Sequence, residues 1–161
     1  MIYVYDIHNQ DDTEELAKAL SKISKAKDVW ALFGTLGVGK SVFSRSFIKN
    51  LTAVDDVPSP TFTLVQVYET SGFDVYHYDL YRLKSPEEIW ELNIEEAFMN
   101  AVSLIEWPEK MGGYLPRNCF KVNITSLSAD KRRIEIEAKT EDMQNRLLQA
   151  LRKPDNAYEN D

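Results

Sequence analysis

Between an apolar run, Val29-Trp30-Ala31-Leu32-Phe33, and a helical repeat of Phe43, Phe47, Ile48 and Leu51 lies Gly34-Thr35-Leu36-Gly37-Val38-Gly39-Lys40-Ser41. The stretch fits G-x-x-x-x-G-K-[ST] at every fixed position and commits this part of the chain to a strand–loop–helix unit. Glycine adopts positive φ without steric cost, so such a loop can turn its backbone N–H groups inward around phosphate oxygens. Lys40 brings a charge to the β- and γ-phosphates, and the Ser41 hydroxyl is a ligand for Mg²⁺. A phosphate held here sits at a helix N-terminus, where the dipole and free N–H groups favour an anion. An ordinary Gly-rich turn is the blander alternative. The order of strand, loop and helix weighs against it, and the segment reads as a phosphate-binding P-loop.

The 161 residues suit one domain, with 43% hydrophobic and 28% charged residues as in ordinary globular proteins. A formal net charge of -7 argues against a surface built chiefly for nucleic acid. Lys131-Arg132-Arg133 is the one dense basic run, and a solvated turn between strands accounts for it. The single Cys119 permits neither an intrachain disulfide nor a cysteine-based zinc site, which fits a reducing compartment. The opening Met1-Ile2-Tyr3-Val4-Tyr5-Asp6 lacks the pattern of a signal peptide, and no apolar run reaches membrane-spanning length. The expectation is a cytoplasmic protein.

Residues 2–7 alternate as a strand. Asp12 and Glu15 form a capping pair ahead of Leu16, Ala17, Leu20 and Ile23 on one helical face. Residues 52–60 are turn-rich. Thr61 to Tyr68 and Asp74 to Tyr81 read as an antiparallel hairpin joined by Glu69-Thr70-Ser71-Gly72-Phe73. Ser85-Pro86-Glu87-Glu88 starts a further helix. Ala101 to Trp107 is a buried strand, Phe120 to Ile124 and Arg133 to Glu137 another pair, and Thr140 opens a last helix closed by Arg152 and Lys153. No internal repeat or interdomain linker is visible. The predicted fold is α/β: one P-loop NTPase domain over residues 1–153, three-layer α/β/α, with a mixed central sheet and an antiparallel hairpin insertion. Residues 154–161 form a polar, frayed tail.

A P-loop needs partners that hold the metal and place the attacking water. Val102-Ser103-Leu104-Ile105-Glu106 is a strand delivering a carboxylate at its end, the Walker-B pattern, which places Glu106 on Mg²⁺ or on the nucleophile. Asp79, in His77-Tyr78-Asp79-Leu80-Tyr81-Arg82, is a second acid on a partly buried strand. An unpaired carboxylate there is costly, so Asp79 needs a metal, Arg82 or a structural hydrogen bond. His77 shares its face with Asp79 and reads as structural. Thr61, after Ser59-Pro60, is either a strand-opening threonine or part of a segment that senses the γ-phosphate. The guanine-reading Asn-Lys-x-Asp, the Asp-x-x-Gly switch and the Leu-Ser-Gly-Gly-Gln signature are all absent, which speaks against a Ras-like GTPase and a transporter ATPase. The arginines Arg117, Arg132 and Arg133 are too scattered for a kinase lid.

Together these motifs resemble those of the TsaE family (the YjeE-type P-loop ATPases) over roughly residues 10–116. The resemblance rests on Gly34 to Ser41 with Phe43-Ser44-Arg45, then Ser59-Pro60-Thr61-Phe62-Thr63-Leu64-Val65, Tyr76-His77-Tyr78-Asp79-Leu80-Tyr81-Arg82-Leu83 and Leu104-Ile105-Glu106-Trp107-Pro108-Glu109. It implies a Mg²⁺-dependent ATPase, weak alone and stimulated by partners. Such a protein works with TsaD and TsaB in bacterial tRNA N6-threonylcarbamoyladenosine modification. TsaD performs the transfer, and ATP hydrolysis sustains multiple turnovers. tRNA is met only through the complex; neither membrane nor DNA is a partner.

The resemblance also implies a site. ATP or ADP is held by Gly34, Gly37, Val38, Gly39, Lys40, Ser41 and Val42, bordered by the Asp11-Asp12-Thr13 region and Arg133. Mg²⁺ sits on Ser41 and Glu106. Lys40, Thr61, Asp79 and Glu106 are the catalytic set, with Trp107 in support. Ser41-Val42 departs from the commoner Thr-Thr, and Thr35 from the commoner Asp. A small-molecule kinase and a nucleotide-gated assembly module are the alternatives.

Overall fold

The computed structural model describes residues 1–160. Its frame is one eight-stranded sheet in the order β3-β4-β5-β2-β6-β7-β1-β8. The strands are β1 (Ile2–Ile7), β2 (Val29–Phe33), β3 (Val65–Tyr68), β4 (Val75–Asp79), β5 (Val102–Glu106), β6 (Phe120–Ser126), β7 (Arg132–Glu137) and β8 (Asn156–Tyr158). The middle four, β4-β5-β2-β6, run parallel, and the flanking pairs are antiparallel. Every residue of β4 and β5 is buried, and all of β2 but its last. Strands covered on both faces are those that run continuously apolar, and parallel strands need such cover.

Helices α1 (Gln10–Lys22), α2 (Lys40–Leu51) and α4 (Glu141–Gln149) cover one face. There Leu16, Leu20, Phe43, Phe47 and Leu147 join Trp30, Leu104, Phe120 and Val122 from the sheet in a single core. Trp30 stacks on Phe120 with ring centroids 4.0 Å apart and meets the edge of Phe47. The opposite face is covered by α3 (Ile94–Asn100) and two 3-10 segments, Pro86–Leu92 and Pro108–Tyr114. Ile89, Ile94, Ala97 and Met111 pack there with Tyr78 and Ile105. The three-layer α/β/α arrangement is thus present. No helix among the described residues is long and apolar enough to cross a membrane.

Several local expectations are revised. The cap of α1 is Asn9, whose side chain accepts from the Asp12 amide at 3.0 Å, so the helix begins before the Asp12–Glu15 pair. The Ser85–Glu88 capping box forms, but it opens a 3-10 turn. Asn93, at φ 56°, breaks that turn before α3 begins. Residues 61–64 are a turn rather than strand, closed by Leu64 N–H donating to the Pro60 carbonyl at 2.7 Å. The last helix ends at Gln149, short of Arg152. The polar tail does not trail free: β8 pairs with β1, and the Asp155 carboxylate accepts from the Asp6 amide (2.8 Å) and Arg152 (2.9 Å).

Parallel order has one consequence for the site. The carboxyl ends of β2, β4 and β5 emerge on the same edge, with Leu32 opposite Glu106 and Glu106 opposite Asp79. That edge is where α/β sheets bind ligands.

Candidate nucleotide site at the carboxyl edge of the sheet

β2 gives out at Phe33 and the chain enters the loop through Gly34, at φ +149°. A Cβ on Gly34 would lie 2.7 Å from the Val38 side chain and 2.9 Å from the Ile124 carbonyl, so only glycine fits against β6. Gly37 and Gly39 also have positive φ, at +78° and +121°, and nothing lies within 4 Å of where their Cβ atoms would be. Their side of the loop is open. Gly39 caps α2 with no side-chain hydrogen bond, leaving the first-turn amides free for an anion.

Lys40 is buried, 5% exposed. Its ammonium donates to the Gly34 carbonyl at 2.6 Å and lies 3.4 Å from the centroid of the Trp107 ring. Burial lowers its pKa below the usual lysine value, and the charges of Glu109, Glu106 and Asp79 act the other way. Trp107 takes a left-handed conformation, φ 60° and ψ 49°, directly after β5, and this turn sets its indole over Lys40.

The two acids sit side by side. Glu106 is 3% exposed and Asp79 7%. Ser41 Oγ donates to Glu106 Oε1 at 3.2 Å, and His77 Nε2 lies 2.6 Å from Glu106 Oε2. Thr61 Oγ1 donates to Asp79 Oδ2 at 3.1 Å, with Ser59 Oγ 2.7 Å from the Thr61 hydroxyl. The Tyr81 amide holds the other Asp79 oxygen at 3.1 Å. Two buried carboxylates in one depression need positive charge nearby, and Lys40 lines the same depression. A hydroxyl and a carboxylate oxygen converging from α2 and β5 are hard donors of the kind Mg²⁺ prefers.

Two depressions meet at the loop. One is lined by Lys40, Ser41, Ser59, Thr61, Asp79, Glu106 and Trp107. The other is lined by Asn9, Gln10, Thr13, Val38, Asp130 and Arg132. Gly37, Gly39 and Val42 border both. Of the expected set, Gly37, Val38, Gly39, Lys40, Ser41, Val42, Thr61, Asp79 and Glu106 are therefore brought together, with Thr13 at the far end. Gly34 lies beneath the loop against β6 and gives its carbonyl to Lys40. Arg133 is not among them. It lies across from Asp6 on interior strand β7, in a separate surface depression with Glu135, Asp155 and Tyr158. Arg132 takes the expected place: its Nε donates to the Val38 carbonyl at 3.0 Å, and its Nη1 donates to the carbonyls of Ser128, Ala129 and Lys131. Neighbouring strand residues face opposite ways, so one position decides the matter. The sequence motifs assign no site role to Ser59 or Asn9, which also line these depressions. Their signals, a hydroxyl two residues before Thr61 and an Asx cap, become informative only once the fold is known.

The family model described as "Threonylcarbamoyl adenosine biosynthesis protein TsaE" matches residues 7–134. Among proteins named tRNA threonylcarbamoyladenosine biosynthesis protein TsaE, one from Rickettsia felis is 46% identical over 127 residues, 78% of this chain and 74% of the relative. One from Haemophilus influenzae is 39% identical, covering 79% of this chain and 81% of its own. One from Bacillus subtilis is 33% identical, covering 81% and 82%. The crystal structure of Bacillus subtilis YdiB superimposes with a TM-score of 0.74 at 25% identity, covering 91% of both chains. The matched span runs from the end of β1 into β7 and takes in the P-loop, Thr61, Asp79 and Glu106: this chain belongs to the TsaE family.

Proposed function

We propose that the chain is a Mg²⁺-dependent ATPase of tRNA N6-threonylcarbamoyladenosine biosynthesis that works with TsaD and TsaB. The observation that carries the hydrolytic part is the convergence of Lys40, Ser41–Glu106 and Thr61–Asp79 on one edge of the sheet. The tRNA pathway is carried by the family and by the names of its curated relatives.

ATP lies with its phosphates in the loop and its nucleoside toward Thr13 and Arg132. Ser41 and Glu106 would hold Mg²⁺, which would supply positive charge against the phosphates. The chain supplies the rest. The open amides after Gly37 and the Lys40 ammonium stabilise charge on the transferring phosphoryl group, a preorganised electrostatic contribution that dominates this class of reaction. Asp79, fixed through both oxygens by Thr61 and the Tyr81 amide, accepts a hydrogen bond from the attacking water and orients it. TsaD performs the carbamoyl transfer, and hydrolysis here returns the assembly to a state ready for another cycle. Leu36 and Phe62, 75% and 80% exposed beside the phosphate pocket, support a partner surface over the site.

Phosphate release by the purified protein, with and without TsaD and TsaB, is the test. Partner-stimulated release that Lys40→Ala abolishes supports the reading. Rates unchanged by Lys40→Ala refute it, and ATP consumption matched to a phosphorylated acceptor indicates a kinase instead.

A further inference from the structure

His77 does not line the phosphate pocket, and it is buried on β4 at 1% exposed. It points to the α2 side of the sheet, as do Asp79 two residues on and Glu106 on the neighbouring strand. Its register partner is Leu104, so the ring reaches diagonally to Glu106 two positions further along β5. Nε2 lies 2.6 Å from Glu106 Oε2, while Nδ1 is buried with no partner. Of the two ring nitrogens only Nε2 has a protein partner, and that partner is an oxygen of the acid that ends β5 beside Ser41. An ionised carboxylate only accepts, so the proton is assigned to Nε2 and His77 donates.

We propose that His77 is a positioning residue for Glu106. With Oε2 held by the imidazole, Glu106 cannot rotate freely, and Oε1 is kept toward Ser41 Oγ at 3.2 Å, where a divalent cation would be received. Carboxylate ligands are commonly held by such outer hydrogen bonds, and losing one typically costs about 10–100-fold in metal affinity or activity. The effect falls on the metal and not on the nucleotide, since the loop amides and Lys40 are untouched. This inference rests on the proposed Mg²⁺–nucleotide site.

The test is binding of N-methylanthraniloyl-ADP, titrated with MgCl₂ and repeated in EDTA. For His77→Leu, the Mg²⁺ concentration giving half-maximal enhancement is expected to rise about 10–100-fold. Affinity in EDTA is expected to match wild type. His77→Gln, whose amide reaches about as far as Nε2, should recover most of the Mg²⁺ response. The shorter His77→Asn should not, and the Gln/Asn comparison carries the test if His77→Leu does not fold. An unchanged Mg²⁺ response in His77→Leu and His77→Asn overturns the proposal, as does equal loss in EDTA or failure of Gln to outperform Asn. A wild-type protein with no Mg²⁺ response, or Lys40→Ala that still binds the probe normally, refutes the underlying nucleotide-site reading instead.

Discussion

Gly34→Ala separates two roles that the loop glycines share in sequence but not in space. At Gly34 an added Cβ meets the Val38 side chain at 2.7 Å and the Ile124 carbonyl at 2.9 Å. The second is backbone of β6 and cannot rotate away. Overpacking of this kind costs about 1–3 kcal/mol, and the positive φ adds on the order of 1 kcal/mol. The expected loss is roughly 3 kcal/mol, which in a chain of this size lowers Tm by about 6–12 °C. At Gly37 only the backbone strain applies, on the order of 1 kcal/mol, because nothing lies within 4 Å of the new atom. Urea titrations followed by tryptophan fluorescence, with Trp30 in the core as reporter, give both values. Gly34→Ala should be the less stable by about 2 kcal/mol, whereas Gly37→Ala should lose nucleotide affinity instead. Equal destabilisation, or a Gly34→Ala loss below about 1 kcal/mol, would refute the close approach of the loop to β6.

Asp79→Asn should leave nucleotide binding within about twofold while lowering partner-stimulated phosphate release by 10²-fold or more, measured as single-turnover rates. Arg146 makes a two-point contact with Asp28, at 2.5 and 2.8 Å, both side chains nearly buried. Arg146→Ala strands that carboxylate and should cost about 3 kcal/mol in urea denaturation. Asp155 has its pKa lowered by hydrogen bonds from Arg152 and the Asp6 amide. Its folded pKa lies below the unfolded one, so its contribution is fully present above roughly pH 4 and is lost as pH falls through the folded value. The stability gap between wild type and Asp155→Asn should therefore close on acidification, and a gap that widened would contradict the ion-paired attachment of β8.

Local chemistry was legible in the chain where neighbouring residues carry it. Gly34 to Ser41 announces a loop, and Val102 to Glu106 announces a strand ending in an acid. Both are placed as expected, because each depends on only a few consecutive residues. Sequence order alone does not reveal that β5 lies between β2 and β4, and that adjacency is what brings Glu106 beside Asp79 and within reach of His77. His77 looked structural for the same reason. Arg132 and Arg133 are equivalent in composition, and only the register of β7 against β6 and β1 separates them. The tail carries no apolar pattern, so β8 could not be read: backbone pairing to β1 and the Asp155 contacts hold it, with all three residues exposed.

The central claim is that this P-loop spends ATP in the service of its partners. Phosphate release in the presence of TsaD and TsaB, wild type against Lys40→Ala, measures it most directly. The account predicts stimulation by the partners and a fall of at least about 10²-fold in the variant, since Lys40 is the one loop group that brings a full positive charge to the phosphates. Release that the partners do not raise, or that survives Lys40→Ala, would contradict it.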